Sequence, residues 1–458
     1  RKEKQAAVIY NQLIKNYPNS DIVGAAYSSL GDYYFDRNDF SGAEKNYKKA
    51  IRYKRSNRYY WAIFKLGWCS YNLGRYSGAL KYWKKLVRES KSAGSKNAIQ
   101  LKEEALRDMV YAFAELKDVT SAIRYYKANA GTQFIGPFLN LLSQILSDQG
   151  QYKQAIGVLK KFQRIIPYDP GGPAAQKEIV ALNYALGRIS NVWKELSIFE
   201  KKYGIKSKWS SRNPRKLQLT TQILIKDQMI YYSSITHQKA IKDGNKNLNK
   251  EARTGYKLFL ANYPGSKEVP SIQFYIADIE YYLKNYRSAG KFYLQVASLG
   301  KKKALRYSNK TKKFENIHKQ ASIYMVDAYV KDFEPKFKVL QKQIPNFKKK
   351  PKPLSIEARN YIKACSKYMG WYPGDKKRKK SCEAGITKIY YHSGDKKNAT
   401  RYLKLIATKY STTKEGPAAV DLLITIVKDN KKDLSGLAAT LLKIPSYRRG
   451  KMGMNLRS

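Results

Sequence analysis

Apolar side chains return every third or fourth residue through most of this chain, the period of a helix buried along one face. A longer beat lies over that one. Between Ala25 and Val87, Tyr27, Leu30, Gly31 and Tyr34 share one helical face, and Ala43, Tyr47 and Ala50 share the next. Ile63, Leu66, Gly67 and Tyr71 repeat the first face, and Ala79, Trp83 and Leu86 repeat the second. Gly31 and Gly67 stand 36 residues apart, as do Ala43 and Ala79. Each unit therefore reads as two antiparallel helices. Gly31 and Ala43 are small enough to let the helices approach, while Tyr34 and Tyr47 fill the space beside the crossing. One pair cannot bury its own apolar stripe, so a neighbour must cover it, and stacking makes one continuous core. The pattern predicts an all-α chain, an α-solenoid of stacked antiparallel helix pairs. A helical bundle without repeats is the plainer alternative.

The same landmarks can be followed along the chain. Ala6, Tyr10, Leu13 and Pro18 read as the second helix of a unit already under way. Pro18 and, later, Pro264 stop their helices, because proline cannot continue one. Residues 89–97 read as a polar loop. Helices are expected at 99–116 and 119–128, then a unit at 136–167 and a weaker one at 174–203. The irregular basic stretch 204–215 reads as a boundary. A long helix at 216–241 follows, with Ala252, Tyr256, Phe259 and Pro264 on the second helix of its unit, then a repeat at 271–297, a basic loop at 301–309 and a helix at 312–331. Four prolines and a dense lysine content mark 334–353 as a linker or a clamp over the surface. Helices resume at 355–369, 381–391 and 398–410, and 416–429 and 434–442 cap the array. The organisation expected is an N-terminal array (1–203), a middle array (204–333), a linker (334–353) and C-terminal repeats with a cap (354–458). The tail around Tyr447 to Lys451 is expected to be mobile or bound to a partner.

The chain has 458 residues, beyond the size at which one compact core stops growing. A stacked array escapes that limit, because each unit touches only its neighbours. Lys and Arg total 89 against 35 Asp and Glu, a formal net charge of +54. Such a field attracts nucleic acid, anionic lipid, cell-wall polymers or acidic proteins. It is spread over almost every helix, whereas a nucleic-acid binder more often gathers it on one stripe. The alternative is a solvated surface without a role. No apolar run is long enough to span a membrane. The chain opens with Arg1 rather than Met, so sequence upstream is expected, such as a signal peptide, a lipid anchor or a further domain.

Of three cysteines, Cys69 lies in a helix stripe and reads as a small core residue. Cys365 and Cys382 flank the turn at 371–375, a spacing that suits facing positions on a helical hairpin. A disulfide there would argue for an oxidising compartment such as the periplasm; the alternative is two unrelated thiols.

Catalytic constellations of weight are missing from the sequence. His237, His318 and His392 each have at most one acidic neighbour at ligand spacing, fewer than the three or four protein ligands of a zinc site. Each reads as solvated or packed. No Gly-rich phosphate loop appears. Scarce, scattered carboxylates weaken any two-carboxylate chemistry. The reading is non-enzymatic, with no cofactor and no metal. The basic runs 301–303, 348–350 and 448–449, and above all Lys376, Lys377, Arg378, Lys379 and Lys380, could hold phosphate or an acidic segment. Trp371 and Tyr372 precede the last run, the interleaving that single-strand binders use for stacking.

The Leu-Gly, aromatic and Ala landmarks at this period resemble the tetratricopeptide repeat. The resemblance is strongest over Ala6–Val87, Gly136–Pro167 and Glu251–Ala297, and toward the C-terminus the glycine landmark is often lost. It implies a right-handed superhelix whose concave groove binds peptides or helices of other proteins. On that basis Ser28, Asp32 and Phe35, then Lys65, Trp68 and Asn72, on the first helix of each pair, are the expected groove residues. The phrasing GDYYFDRNDFSGAEKNYKKAI and the Tyr-Pro-x-Ser endings are similar to repeat scaffolds of the bacterial envelope, including its outer-membrane assembly, cell-division, motility and secretion complexes. The function implied is a protein–protein interaction scaffold, periplasmic or outer-membrane-associated, with a cytoplasmic setting as the alternative. The competing reading is an anionic-polymer-binding module, for nucleic acid or cell wall, that uses the positive charge.

Overall fold

Close approach at glycine sets the geometry of the first pairs. A Cβ on Gly31 would overlap the Tyr47 ring, and one on Gly67 would overlap the Trp83 indole. Tyr47 and Trp83 are fully buried at those crossings. The computed structural model describes residues 2–90, 96–129, 132–308, 313–428 and 431–448.

The chain forms two compact units, Arg1–Met229 and Ile230–Ser458. The first holds α1 (Lys2–Asn16), α2 (Val23–Phe35), α3 (Phe40–Ala50), α4 (Tyr59–Asn72), α5 (Tyr76–Glu89) and α6 (Lys96–Glu115). It continues with α7 (Val119–Asn129), α8 (Thr132–Asp148), α9 (Tyr152–Ile165), α10 (Gly172–Ala185) and α11 (Ile189–Tyr203). The long helix α12 (Arg215–Lys242) carries the chain into the second unit. There follow α13 (Lys246–Asn262), α14 (Val269–Tyr282), α15 (Tyr286–Ser298), strands β1 (Leu305–Ser308) and β2 (Lys313–Asn316), α16 (His318–Gln341) and α17 (Ile356–Trp371). Last come α18 (Lys376–His392), α19 (Lys396–Lys409), α20 (Glu415–Val427), α21 (Lys431–Leu441) and the short α22 (Pro445–Arg448). This is the expected all-α helical-repeat solenoid. In the first unit one core runs from Tyr59 through Trp83, Phe113 and Tyr126 to Ile179. In the second, one core runs from Phe274 to Ile389 and another covers Tyr391 to Tyr447.

The turn inside a pair has a signature. Asn38, Gly74, Lys117, Gly150, Gly187, Gly244, Lys284 and Gly394 each take a positive φ between the first helix and the second. Only the left-handed conformation reverses the chain there in so few residues, and glycine or asparagine adopts it with least strain. The recurrence ties α18–α19 to the same plan as α2–α3.

Several expectations need correction. Residues 305–308 and 313–316, expected as loop and helix, are strands, and 309–312 lie outside the described residues. Strands β1 and β2 pair antiparallel, with Leu305 opposite Asn316. Ile317 N–H donates to Ala304 O at 2.9 Å and closes the hairpin base. The next helix starts at His318 and runs past the expected end to Gln341, with Pro335 inside it. Packing carries it over the proline: Phe333 stacks on Tyr361 and contacts Phe337. Helix α18 begins at Lys376, five residues before the expected start, because the Asp375 carboxylate accepts from Arg378 N–H at 3.1 Å and caps it. The irregular stretch 204–215 packs back, with Trp209 buried against Tyr203 and donating to Asp169 O at 2.8 Å. Residues 91–95 of the expected loop, Asp429, and the tail from Arg449 on lie outside the described residues. No helix among the described residues is long and apolar enough to cross a membrane.

Candidate functional site

The first helices of successive pairs lie against one another, α2 on α4 and α4 on α6. Their shared face carries the groove residues expected from the sequence. Ser28 is fully buried and accepts from Arg58 Nε at 3.2 Å, so it holds Arg58 and offers no free surface of its own. Asp32 is a hub. It accepts from Tyr47 Oη at 2.6 Å and from Trp61 Nε1 at 2.8 Å, and it is ion-paired to Arg58. Phe35 is half-buried, with the Lys65 ammonium 3.7 Å from its ring centroid. Burial holds the Lys65 ammonium below the usual lysine range. Trp68 is half-buried between Tyr71, Trp83 and Tyr111, and its Nε1–H donates to Asp108 Oδ2 at 2.9 Å. Burial pushes Asp108 up to about 6 against the pull of that N–H. Asn72 is exposed, and its amide turns back to Trp68 O at 2.9 Å.

Five of the six residues thus meet on one half-buried to exposed face, and Ser28 supports it from beneath. Indole–carboxylate bonds strap that face together, from α4 back to α2 through Trp61 and on to α6 through Trp68. The sequence reading missed Trp61, Arg58 and Asp108. Trp61 had a signal, since it lies seven residues before Trp68 on α4 and so on the same face, but a partner from another helix has no fixed spacing.

The basic run is partly internal. Arg378 Nη1 reaches Asp327 Oδ1 at 2.6 Å, and Lys380 Nζ reaches Glu415 at 2.8 Å. Lys376 and Lys377 are exposed at the start of α18, and Lys379 is half-buried. Other carboxylates are also engaged inside. Glu195 takes Lys160 Nζ at 2.6 Å, Glu280 takes Arg253 Nη1 at 3.0 Å, and Glu383 takes Lys409 Nζ and Tyr410 Oη at 2.9 and 2.7 Å. Glu195, Glu280 and Glu383 are all buried.

Cys365 on α17 and Cys382 on α18 are buried and joined as a disulfide. Cys69 is buried and unpaired, its thiol pushed up to about 12 by burial. His237 packs edge-on to Tyr256 and Tyr275, and burial lowers it to about 4. His318 lies against Trp371 and hydrogen-bonds Tyr372. Among the described residues no group of three or more His, Cys, Asp or Glu is close enough to hold a metal ion.

Family models described as tetratricopeptide repeat match residues 29–94 and residues 1–20. A search of curated proteins finds no match. Among solved structures, the chain is similar to that of Naa15/Naa10 bound to HypK-THB, at 12% identity and a TM-score of 0.30, covering 99% of this chain. It spans 60% of that chain's length. It is also similar to a tetratricopeptide repeat protein from Parabacteroides merdae, at 12% identity and a TM-score of 0.23, over 70% of this chain and 97% of that one. The APC/C hetero-tetramer Cut9-Hcn1 aligns at 13% identity and a TM-score of 0.32, over 93% of each chain. The tetratricopeptide repeat models thus cover residues 1–20 and 29–94, and the later pairs share the positive-φ turn of the early ones.

Proposed function

We propose that this chain is a non-enzymatic scaffold that holds other proteins together in a bacterial envelope complex, such as an assembly, motility or secretion machine. Tetratricopeptide repeats generally act in protein–protein interaction. The observation that carries the reading is the strapped face of α2, α4 and α6, where Phe35, Lys65 and Trp68 are held in place yet remain partly open to solvent. Prefixed aromatic and cationic groups lose little freedom on binding, which favours recognition there. A buried Cys365–Cys382 disulfide suits an oxidising compartment, which supports a periplasmic or outer-membrane-associated setting.

Photo-crosslinking tests the reading. A photoreactive residue placed at position 35 or 65 of the full chain should capture a discrete partner in cells, and one at exposed Lys153 on α9 should not. Equal capture at all three positions would count against a dedicated face.

A second reading has one observation in its favour. Buried and half-buried carboxylates are engaged internally, so much of the positive charge, Lys376 and Lys377 included, is left facing solvent. An anionic polymer could use it. Phosphate-driven binding loses affinity steeply as salt rises. Failure to retain a polyanion at low salt would speak against that reading, and partner capture that survives moderate salt would favour the scaffold.

A further inference from the structure

The Asp32–Tyr47 pair has a counterpart in the second unit. Tyr293 Oη on α15 donates to Asp278 on α14, at the same 15-residue spacing. Around Asp32 the arrangement is filled. The Arg58 guanidinium is ion-paired to the carboxylate and lies 5.7 Å from the Trp61 ring centroid. Around Asp278 it is not filled: among the described residues no cation makes an ion pair with this carboxylate. Arg306, whose charge acts on it, has its guanidinium over Phe274 instead, 5.2 Å from that centroid.

A cavity of about 340 Å³ opens in front of Asp278. Tyr281, Tyr282, Tyr293 and Tyr324 wall it, and Asp327 completes the lining. Asp327 is engaged with Arg378, so Asp278 is the carboxylate left to meet a ligand. Tyr282 and Tyr324 are 46% and 37% exposed, which leaves the cavity open to solvent. Tyr324 meets Tyr293 edge to face, so the rings hold one another.

We infer that this tyrosine-walled cavity takes an arginine side chain from a partner protein, with the guanidinium on Asp278 and its plane against the tyrosine rings. The inference rests on the scaffold reading and names the chemistry of one of its contacts. Charge complementarity selects the occupant. In a chain of net charge +54, a cavity with two carboxylates and four tyrosines repels anions and attracts cations. Ring faces carry negative potential and draw a cation within about 6 Å of their centroids. Guanidinium is the better fit, being planar, weakly hydrated and able to stack on rings. Arg58 on Asp32 shows the same fit made within this chain.

The probe is N-ethylguanidinium, added to the full chain at pH 7.5 and read by ¹⁹F NMR after labelling with 3-fluorotyrosine. N-ethylurea, neutral and of the same shape, is the control. The inference expects saturable shifts of the Tyr293 and Tyr324 resonances with ethylguanidinium and none with ethylurea. Asp278→Asn should weaken the probe about tenfold, as loss of the charge partner of a desolvated cation does. Tyr324→Leu changes a partly exposed ring, keeps the fold testable if Asp278→Asn does not, and should also weaken binding. Equal shifts with ethylurea, or undiminished binding to a folded variant, overturn the inference. A chain that captures partners but ignores the probe loses this inference alone. A chain that saturates with the probe but captures no protein keeps the cavity and loses the scaffold reading.

Discussion

Trp68 on α4 donates its indole N–H to Asp108 on α6 at 2.9 Å, and this bond joins two first helices that belong to different repeats. Burial raises Asp108 to about 6, well above its value in an unfolded chain. The folded state therefore holds its proton more tightly than the unfolded state does. Stability falls as pH rises through the window from about 4 to about 6, and the cost of the buried charge is complete above it. Asp108→Asn keeps an acceptor for the Trp68 N–H and removes the charge. It should stabilise the first unit at pH 8 by on the order of 2 kcal/mol and do nothing near pH 3.5. Urea midpoints of the two proteins at both pH values check this, and a variant less stable at pH 8 would show that the ionised bond outweighs desolvation.

Gly67 faces the Trp83 ring with no room for a methyl group, while Gly157, inside α9, has nothing within 4 Å of a built Cβ. Alanine should act oppositely at the two. Gly67→Ala must push a fully buried indole or separate α4 from α5, at a cost of about 1–3 kcal/mol. Gly157→Ala gains about 0.5–1 kcal/mol, because it only removes freedom from the unfolded chain. Thermal melts of the two variants should move apart from wild type in opposite directions.

The contrast at these glycines also explains what the sequence could reveal. Gly67 and Trp83 belong to one repeat and keep a fixed interval, so their contact is written in the period. The left-handed turn residue is not, since Asn38, Lys117 and Lys284 do the work that Gly74 and Gly150 do elsewhere. The hairpin at 305–316 was missed because its short strands carry basic residues and no clean alternation, and its order comes from the anchors Ala304 and Ile317. The helical reach of α16 past Pro335 depends on Phe333 meeting Tyr361, a partner on another helix. That Phe35, Lys65 and Trp68 share a helical face was legible, but the partners that fix them were not. The Asp278 cavity draws Tyr324 from 46 residues downstream, beyond any single repeat. Only the 15-residue Asp–Tyr interval, seen twice, was there to be read.

The Cys365–Cys382 disulfide closes the α17–α18 turn within the second unit. Its loop is short, so the stabilisation expected from restricting the unfolded chain is about 2–4 kcal/mol. Replacing both cysteines with alanine should lower the unfolding midpoint of the second unit and leave the first unit unchanged. Thiol titration checks the premise directly. The native chain should show no reactive thiol, since Cys69 is buried, and the denatured chain should show one. Three reactive thiols on denaturation of freshly purified, unreduced protein would remove both the bond and the support it gives to an oxidising compartment.

Arg58 can be taken away and offered back. Arg58→Ala removes the guanidinium from Asp32 but leaves the Tyr47 and Trp61 donors in place. The pair is partly exposed, so the loss should be about 1 kcal/mol, not the larger cost of a fully buried ion pair. The vacated socket would then have the same parts as the one at Asp278, a carboxylate, a donating tyrosine and an aromatic wall. Ethylguanidinium at tens of millimolar, far below denaturing levels, should restore part of the lost stability to Arg58→Ala and add nothing to the first unit of the wild type. Sodium chloride at equal ionic strength is the control. It screens the surface charge of both proteins alike, so rescue by salt alone would mean that repulsion among the lysines, and not an empty socket, had cost Arg58→Ala its stability.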